Sequence, residues 1–275
     1  MNIFISVDIE GVAGVNEGLQ GQRGNPEYEA ARNLMTQEAN AAIQGAFEGG
    51  AEKVTVADSH GPMRNMIADK LDPRARLISG KPRPLSMIEG VSDEFDGVVL
   101  IGFHAAAGNF GVLSHTISGL AFSTIEINGV SAGEPLLFAG HAAEIGVPLL
   151  VVSGDDCLAR EITSQFPASR SITVKRAIGA TASDSLSPEE SCKMIKAQVQ
   201  KAVSEASLFE VSMPCDPPLV VDAVFKHQRQ ADAAALLPFV TRADALSVRF
   251  DAASYRDAIG SLSALALIAR AVTEI

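Results

Sequence analysis

The chain has 275 residues, enough for one large domain or two moderate ones, and 47% of them are hydrophobic, ample for a buried core. Asp plus Glu number 33 against 22 Lys plus Arg, a formal net charge of -11. That balance argues against nucleic acid and anionic membrane surfaces as partners, because both demand a basic face. Aromatics are only 5% and Trp is absent, so the core must be packed from Ala, Val, Leu and Ile.

In chain order, residues 2–7 read as a strand ending in S-V-D-I-E-G. A Gly-, Asn- and Gln-rich loop follows to Pro26, and a structureless loop of that length is commonly functional. A helix spans residues 27–48 and stops at Gly49-Gly50. Next come a strand at 53–57 ending in A-D-S-H, a short helix at 63–70 and a weak strand at 75–78. Residues 97–104 are almost continuously apolar, as in a strand buried on both faces. A strand at 122–127 with an N-G turn, a helix at 133–144 and a buried strand at 147–153 ending in G-D-D complete the first part. This βα rhythm predicts an α/β fold with a mostly parallel sheet flanked by helices.

The last third reads strand 172–176, helix 188–206, strand 219–225, helix 230–237, strand 245–250 and helix 254–272. Ser187 and Ser254 stand as N-caps, with Pro188 in the first helical position. The expected organisation is a catalytic α/β domain over residues 1–170 and a smaller C-terminal α+β lobe over 171–275.

Cys157, Cys192 and Cys215 are widely spaced and form no C-x-x-C, so neither a disulfide framework nor a cysteine zinc knuckle is expected. The N-terminus has no basic leader region, and no stretch reaches the roughly 18 apolar residues of a membrane span. A cytoplasmic protein is expected.

Chemistry-bearing residues recur just past successive predicted strands: Asp8 and Glu10, His60, then His104, with His115 and Glu134 following. Ligands of open α/β sheets bind outside the carboxyl ends of the strands. Histidines and carboxylates gathered there point to a site for zinc or a similar divalent ion. Each element has a plainer reading on its own. D-x-E can be two surface acids at a strand end. His60 can be a loop histidine, with Asp58 capping a turn or orienting the ring. His104 can be a hydrogen-bonded ring at a sheet edge. His115 can be a ligand, a general base or an oxyanion donor. Glu134 can be a first-turn helix acid. Asp155 and Asp156 can cap the next helix or support the site. Lys175 can be solvated or reach the cleft, and His141 and His227 read as structural. The conjunction favours a site, because unrelated surface residues have no reason to repeat at strand ends. Walker A, H-E-x-x-H, G-x-G-x-x-G and G-x-S-x-G patterns are missing.

The segments S-V-D-I-E-G, D-S-H at 58–60, L-I-S-G-K-P-R-P-L-S-M-I-E-G, G-F-H-A, L-S-H-T, G-E at 133–134 and G-D-D resemble the zinc D-aminopeptidase family of metallopeptidases, in the same order along nearly the whole chain. The resemblance implies a binuclear zinc site with Asp8 as the bridging carboxylate and Glu10, His60, His104 and Glu134 as the other ligands. It implies His115 in the catalytic, nucleophile-like role and a homo-oligomer, a decamer of two stacked pentamers around a chamber. The implied activity is removal of N-terminal residues, D-residues among them, from short peptides; because a binuclear site already supplies a nucleophile, metal-activated water is preferred to direct attack by His115. Two alternatives stand beside it: a metal-dependent amidase acting on a small amino compound, and a non-enzymatic peptide-binding protein.

Overall fold

Strand β1 (Asn2–Val7) has its residues 3–7 buried and lies between β2 (Lys53–Asp58) and β4 (Gly97–Ile101), parallel to both. The computed structural model describes residues 1–273. With β3 (Arg76–Ile78), β7 (Leu149–Asp155), β8 (Arg170–Gly179) and β9 (Ala182–Ser185), these strands form a seven-stranded sheet in the order β3-β2-β1-β4-β7-β8-β9. All neighbours are parallel except β8 and β9, an antiparallel hairpin at one edge. The chain runs outward from β1 through β2 to β3, then returns to β4 on the other side of β1. The sheet therefore reverses direction of growth between β1 and β4, where ligand crevices form in open α/β sheets.

Side-chain alternation divides the core in two. Ile3, Ile5 and Val7 of β1 and Val99 and Ile101 of β4 face α1 (Tyr28–Glu48) and, further along the same face, α4 (Pro188–Ser204). Phe4, Val98 and Leu100 face the opposite layer, with α2 (Glu134–Glu144), α3 (Asp156–Gln165) and α6 (Tyr255–Thr273). Helices α1 and α4 cross closely at Gly45, where a Cβ would meet the Lys196 carbonyl at 2.4 Å. The largely parallel, helix-flanked α/β sheet is thus as the sequence implies.

A second, five-stranded antiparallel sheet has the order β11-β12-β10-β5-β6. It joins β5 (Phe122–Ile127) and β6 (Val130–Ser131) to β10 (Leu219–Phe225), β11 (Thr241–Arg242) and β12 (Ser247–Ala252), with α5 (Gln228–Ala234) beside it. The expected division at residues 170/171 does not separate these sheets. Strands β8 and β9 extend the large sheet and α4 packs on it, whereas β5 and β6 belong with the C-terminal strands. Alternation along 172–176 marks a half-buried strand but carries no record of its partner, so a lobe boundary drawn at residue 170 leaves β8 apart from the sheet it extends. The short helix expected at 63–70 is a loop with one 3₁₀ turn at Ala68–Lys70. The Asp58 carboxylate accepts the Asn65 and Met66 amides at 2.5 and 2.6 Å and draws the backbone away from a helix.

Candidate functional site

The sheet's reversal point holds the residues the sequence singles out. Asp8 and Glu10 leave β1, His60 leaves β2, His104 follows β4, and Glu134 opens α2. All are buried but His60, whose side chain is 14% exposed. Asp8 spans the group: its Oδ1 is 3.3 Å from His60 Nδ1 and its Oδ2 is 3.6 Å from His104 Nε2. Glu10 Oε2 lies 3.0 Å from the same His60 nitrogen, and Glu134 Oε2 lies 3.2 Å from the same His104 nitrogen. The six residues thus form two halves, Glu10–His60 and His104–Glu134, with His115 beside the second and Asp8 between.

Each imidazole is oriented from behind. His60 Nε2 is 2.9 Å from the Gly21 carbonyl, His104 Nδ1 is 3.0 Å from the Ala105 carbonyl, and His115 Nδ1 is 2.9 Å from the Leu113 carbonyl. A carbonyl only accepts, so each of these ring nitrogens carries the hydrogen and donates it. In the neutral ring the other nitrogen is then a lone pair aimed at carboxylates. This is the arrangement of a metal-ligating histidine whose tautomer is fixed by a backbone acceptor.

Electrostatics lead to the same requirement. Burial alone would drive His60 and His104 toward neutrality, but Glu10 and Asp8 around the first, and Glu134 and Asp8 around the second, hold both well above an ordinary histidine. Burial likewise would raise Asp8 and Glu134. Bonds to His104 and His60 keep Asp8 below the usual carboxylate range, and the His104 charge does so for Glu134. The carboxylates demand positive charge among them. His104 Nε2 and Glu134 Oε2 are fully buried yet make no well-formed hydrogen bond. Buried polar atoms normally have a partner, so this pair fits a cation between them. Ligand atoms of Asp8, Glu10 and His104 lie within 4.8 Å of one another, as do those of His104, His115 and Glu134. Mixed imidazole and carboxylate donors in such groups suit zinc and similar divalent ions.

His115 stacks on His104, with ring centroids 4.1 Å apart and planes 12° from parallel. Its Nε2 is 3.9 Å from Glu134 Oε1, and its side chain is 23% exposed where that of His104 is 0%. It therefore faces both the carboxylates and the outside. Leu113 and Ile117, two residues to either side, both have left-handed φ of 55° and 61°, which is costly for branched side chains. Fixed contacts impose this conformation. Leu113 N donates to the Ala180 carbonyl at 2.9 Å, Ile117 N to Glu134 Oε1 at 2.8 Å, and Val112 N to Asp155 Oδ2 at 2.7 Å.

Both readings of Asp155 apply: its Oδ1 caps α3 through the Cys157 and Leu158 amides, while Oδ2 supports the His115 loop. Asp58 orders the loop after His60 through Asn65, whose side chain reaches the His60 carbonyl at 2.6 Å, rather than binding the ring. His141 is buried on α2 and paired with Glu144 at 3.3 Å, outside the site. His227 opens α5, also outside it. Sequence reading missed the support layer. Glu161 on α3 accepts the Ala106 amide and an Asn109 side-chain N–H, fixing the loop after His104. Lys175 is neither solvated nor in a cleft but buried under the Glu10 loop, where burial brings it down to about 8 against the pull of Glu38, Asp155 and Glu10. Glu38 is buried in mid-helix. Nothing local marks either residue: Glu38 stands beside Gln37 in a polar run and Lys175 beside Arg176.

Residues 1–264 match the family model described as D-aminopeptidase. A D-aminopeptidase of Bacillus subtilis (strain 168) is 36% identical over 238 residues, covering 86% of each chain. The solved structure of the Zn-dependent D-aminopeptidase DppA from Bacillus subtilis, a self-compartmentalizing protease, matches with a TM-score of 0.93 and 33% identity over 98% of both chains. With a site of this composition on a fold shared from end to end, the chain belongs to the D-aminopeptidase family of peptidases.

Proposed function

We propose that this protein is a zinc-dependent aminopeptidase that releases N-terminal residues, D-residues among them, from short peptides. The observation that carries the reading is Asp8, whose two oxygens face His60 and His104 separately, the disposition of a carboxylate shared by two ions. Glu10 and His60 would complete one metal position, and His104 and Glu134 the other. A zinc pair supplies Lewis acidity at a scissile carbonyl and a nucleophile at neutral pH.

The protein's own groups account for the remaining requirements. The buried carboxylates give the pocket a negative field that suits a protonated peptide amine. His115 is the residue open to substrate, and its Nε2 can accept or donate a proton, or stabilise an oxyanion, while Nδ1 stays fixed to Leu113. The contacts that impose left-handed φ beside it keep that nitrogen aimed at the site. The D-preference follows the activity of the family relatives. The relative described as self-compartmentalizing supports a homo-oligomer that limits access to short peptides, and the form proposed for it is the decamer of stacked pentamers that the sequence resemblance implies. Among the described residues no helix is long and apolar enough to cross a membrane. Cys157, Cys192 and Cys215 are all unpaired, which supports a reducing, cytoplasmic setting.

The test is hydrolysis by zinc-loaded protein of dipeptides with D- or L-residues at the N-terminus, each with and without N-acetylation. Cleavage confined to free amines, with D-residues favoured, is expected. Equal cleavage of acetylated peptides would favour the amidase reading, and binding without turnover the peptide-binding one.

A further inference from the structure

The backbone of residues 10–15, which carries Glu10 into the site, is gripped from beneath by polar groups of three other elements. Lys175 on β8 is 2% exposed, and its Nζ donates to the carbonyls of Glu10 at 2.5 Å, Val12 at 3.0 Å and Val15 at 2.5 Å. An ammonium has three hydrogens, so these acceptors satisfy it completely. Glu38 on α1, also 2% exposed, accepts the Ala13 amide at 3.0 Å and the Ser191 hydroxyl of α4 at 2.6 Å. Ser185, directly opposite Lys175 across the β8–β9 pair, accepts the Gly14 amide at 3.0 Å.

We propose that Lys175, with Glu38 and Ser185, is a positioning device for the Glu10–His60 half of the binuclear site. Lys175 does not act on substrate: its donors are all spent on backbone carbonyls of the loop whose Glu10 side chain meets His60. A buried ammonium is costly unless fully paired, and a hydrophobic residue would serve mere packing at lower cost. What the ammonium adds is a single point that draws three carbonyls of one loop together. Closing the loop in this way fixes the direction in which Glu10 leaves it. His104 follows β4 and Glu134 opens α2, and among the described residues no side-chain hydrogen bond of Lys175, Glu38 or Ser185 goes to either.

This inference rests on the metal-site reading above, and the experiment separates the two. Wild-type protein, freed of metal and confirmed folded by circular dichroism, is titrated with Zn²⁺ by calorimetry and with Co²⁺ by visible absorption. Failure of the wild type to bind two ions overturns the site reading itself. If it binds two, Lys175→Met is titrated in the same way. The proposal predicts that one ion binds as in wild type while the other is weakened about 10- to 100-fold, the usual cost of losing an outer support of a ligand. Unchanged affinity for both ions, or equal loss of both, would overturn it, since a role in stability alone does not distinguish the halves. Should Lys175→Met fail to fold, Ser185→Ala decides: it removes one grip without stranding a charge, and the same selective weakening is required of it.

Discussion

Gly21 offers a sharp probe of how His60 is held, because it can be altered without touching a candidate ligand. Its carbonyl accepts from His60 Nε2 at 2.9 Å, and a Cβ added to it would lie 2.6 Å from that nitrogen and 2.9 Å from Cε1. Unstrained contacts between such atoms fall at about 3.5 Å, so the ring must retreat by roughly 0.9 Å. It has nowhere to go, for Nδ1 on its far side is already 3.0 Å from Glu10 and 3.3 Å from Asp8. Gly21 lies in a 3₁₀ turn where alanine is sterically ordinary, so the backbone should survive Gly21→Ala. The expected cost is that of displacing a ligand's outer support, about 10- to 100-fold in affinity for the ion on the His60 side. That is about 1.4–2.7 kcal/mol. Competition for Zn²⁺ against a chromophoric chelator measures it. Gly18→Ala serves as the control, because a Cβ there meets nothing within 4 Å. Wild-type affinity in Gly21→Ala, or an equal loss in Gly18→Ala, would refute the placing of His60 in the metal site.

His115→Ala should leave metal content near that of wild type and lower turnover about a hundred- to ten-thousand-fold, the usual contribution of a general acid–base group; loss of an ion by elemental analysis would instead make His115 a ligand. Asp8→Ala should weaken both metal positions together, since its oxygens face both halves, and selective loss of one ion by titration would contradict a shared carboxylate. His141 tests stability against pH. Burial lowers its folded-state pKa below the ordinary 6.5, so near and below that value the unfolded chain binds more protons. Its contribution is complete above 6.5 and is lost as pH falls toward the depressed folded value. The difference in melting temperature between wild type and His141→Gln should therefore shift against the wild type as pH falls below 6.5, and parallel curves in thermal scans would show that His141 is not buried neutral.

The parallel sheet was legible because its strands are continuous apolar runs, as at 97–101, and its helices carry start and stop signals, as at Ser187-Pro188 and Gly49. The site was legible for a related reason. Strand ends converge in an α/β sheet, so Asp8, His60 and His104 announce a common location without any contact being known. Partners across long sequence separations left no such trace. Strands β5 and β10 are adjacent in one sheet although nearly a hundred residues apart, which no local pattern records. Lys175 looks like any strand lysine until the carbonyls of residues 10–15 are seen above it. The left-handed backbone at Leu113 and Ile117 was hidden as well, since a bulky residue gives no warning of a conformation normally left to glycine.

In the proposed enzyme the Asp8-bridged cluster holds a catalytic pair of divalent ions. Elemental analysis of purified protein, paired with aminopeptidase assay before and after chelation and after return of Zn²⁺, tests it most directly. Two ions per chain, loss of activity as they leave and recovery as they are restored is the predicted result. Full activity in protein shown to be free of metal would contradict it.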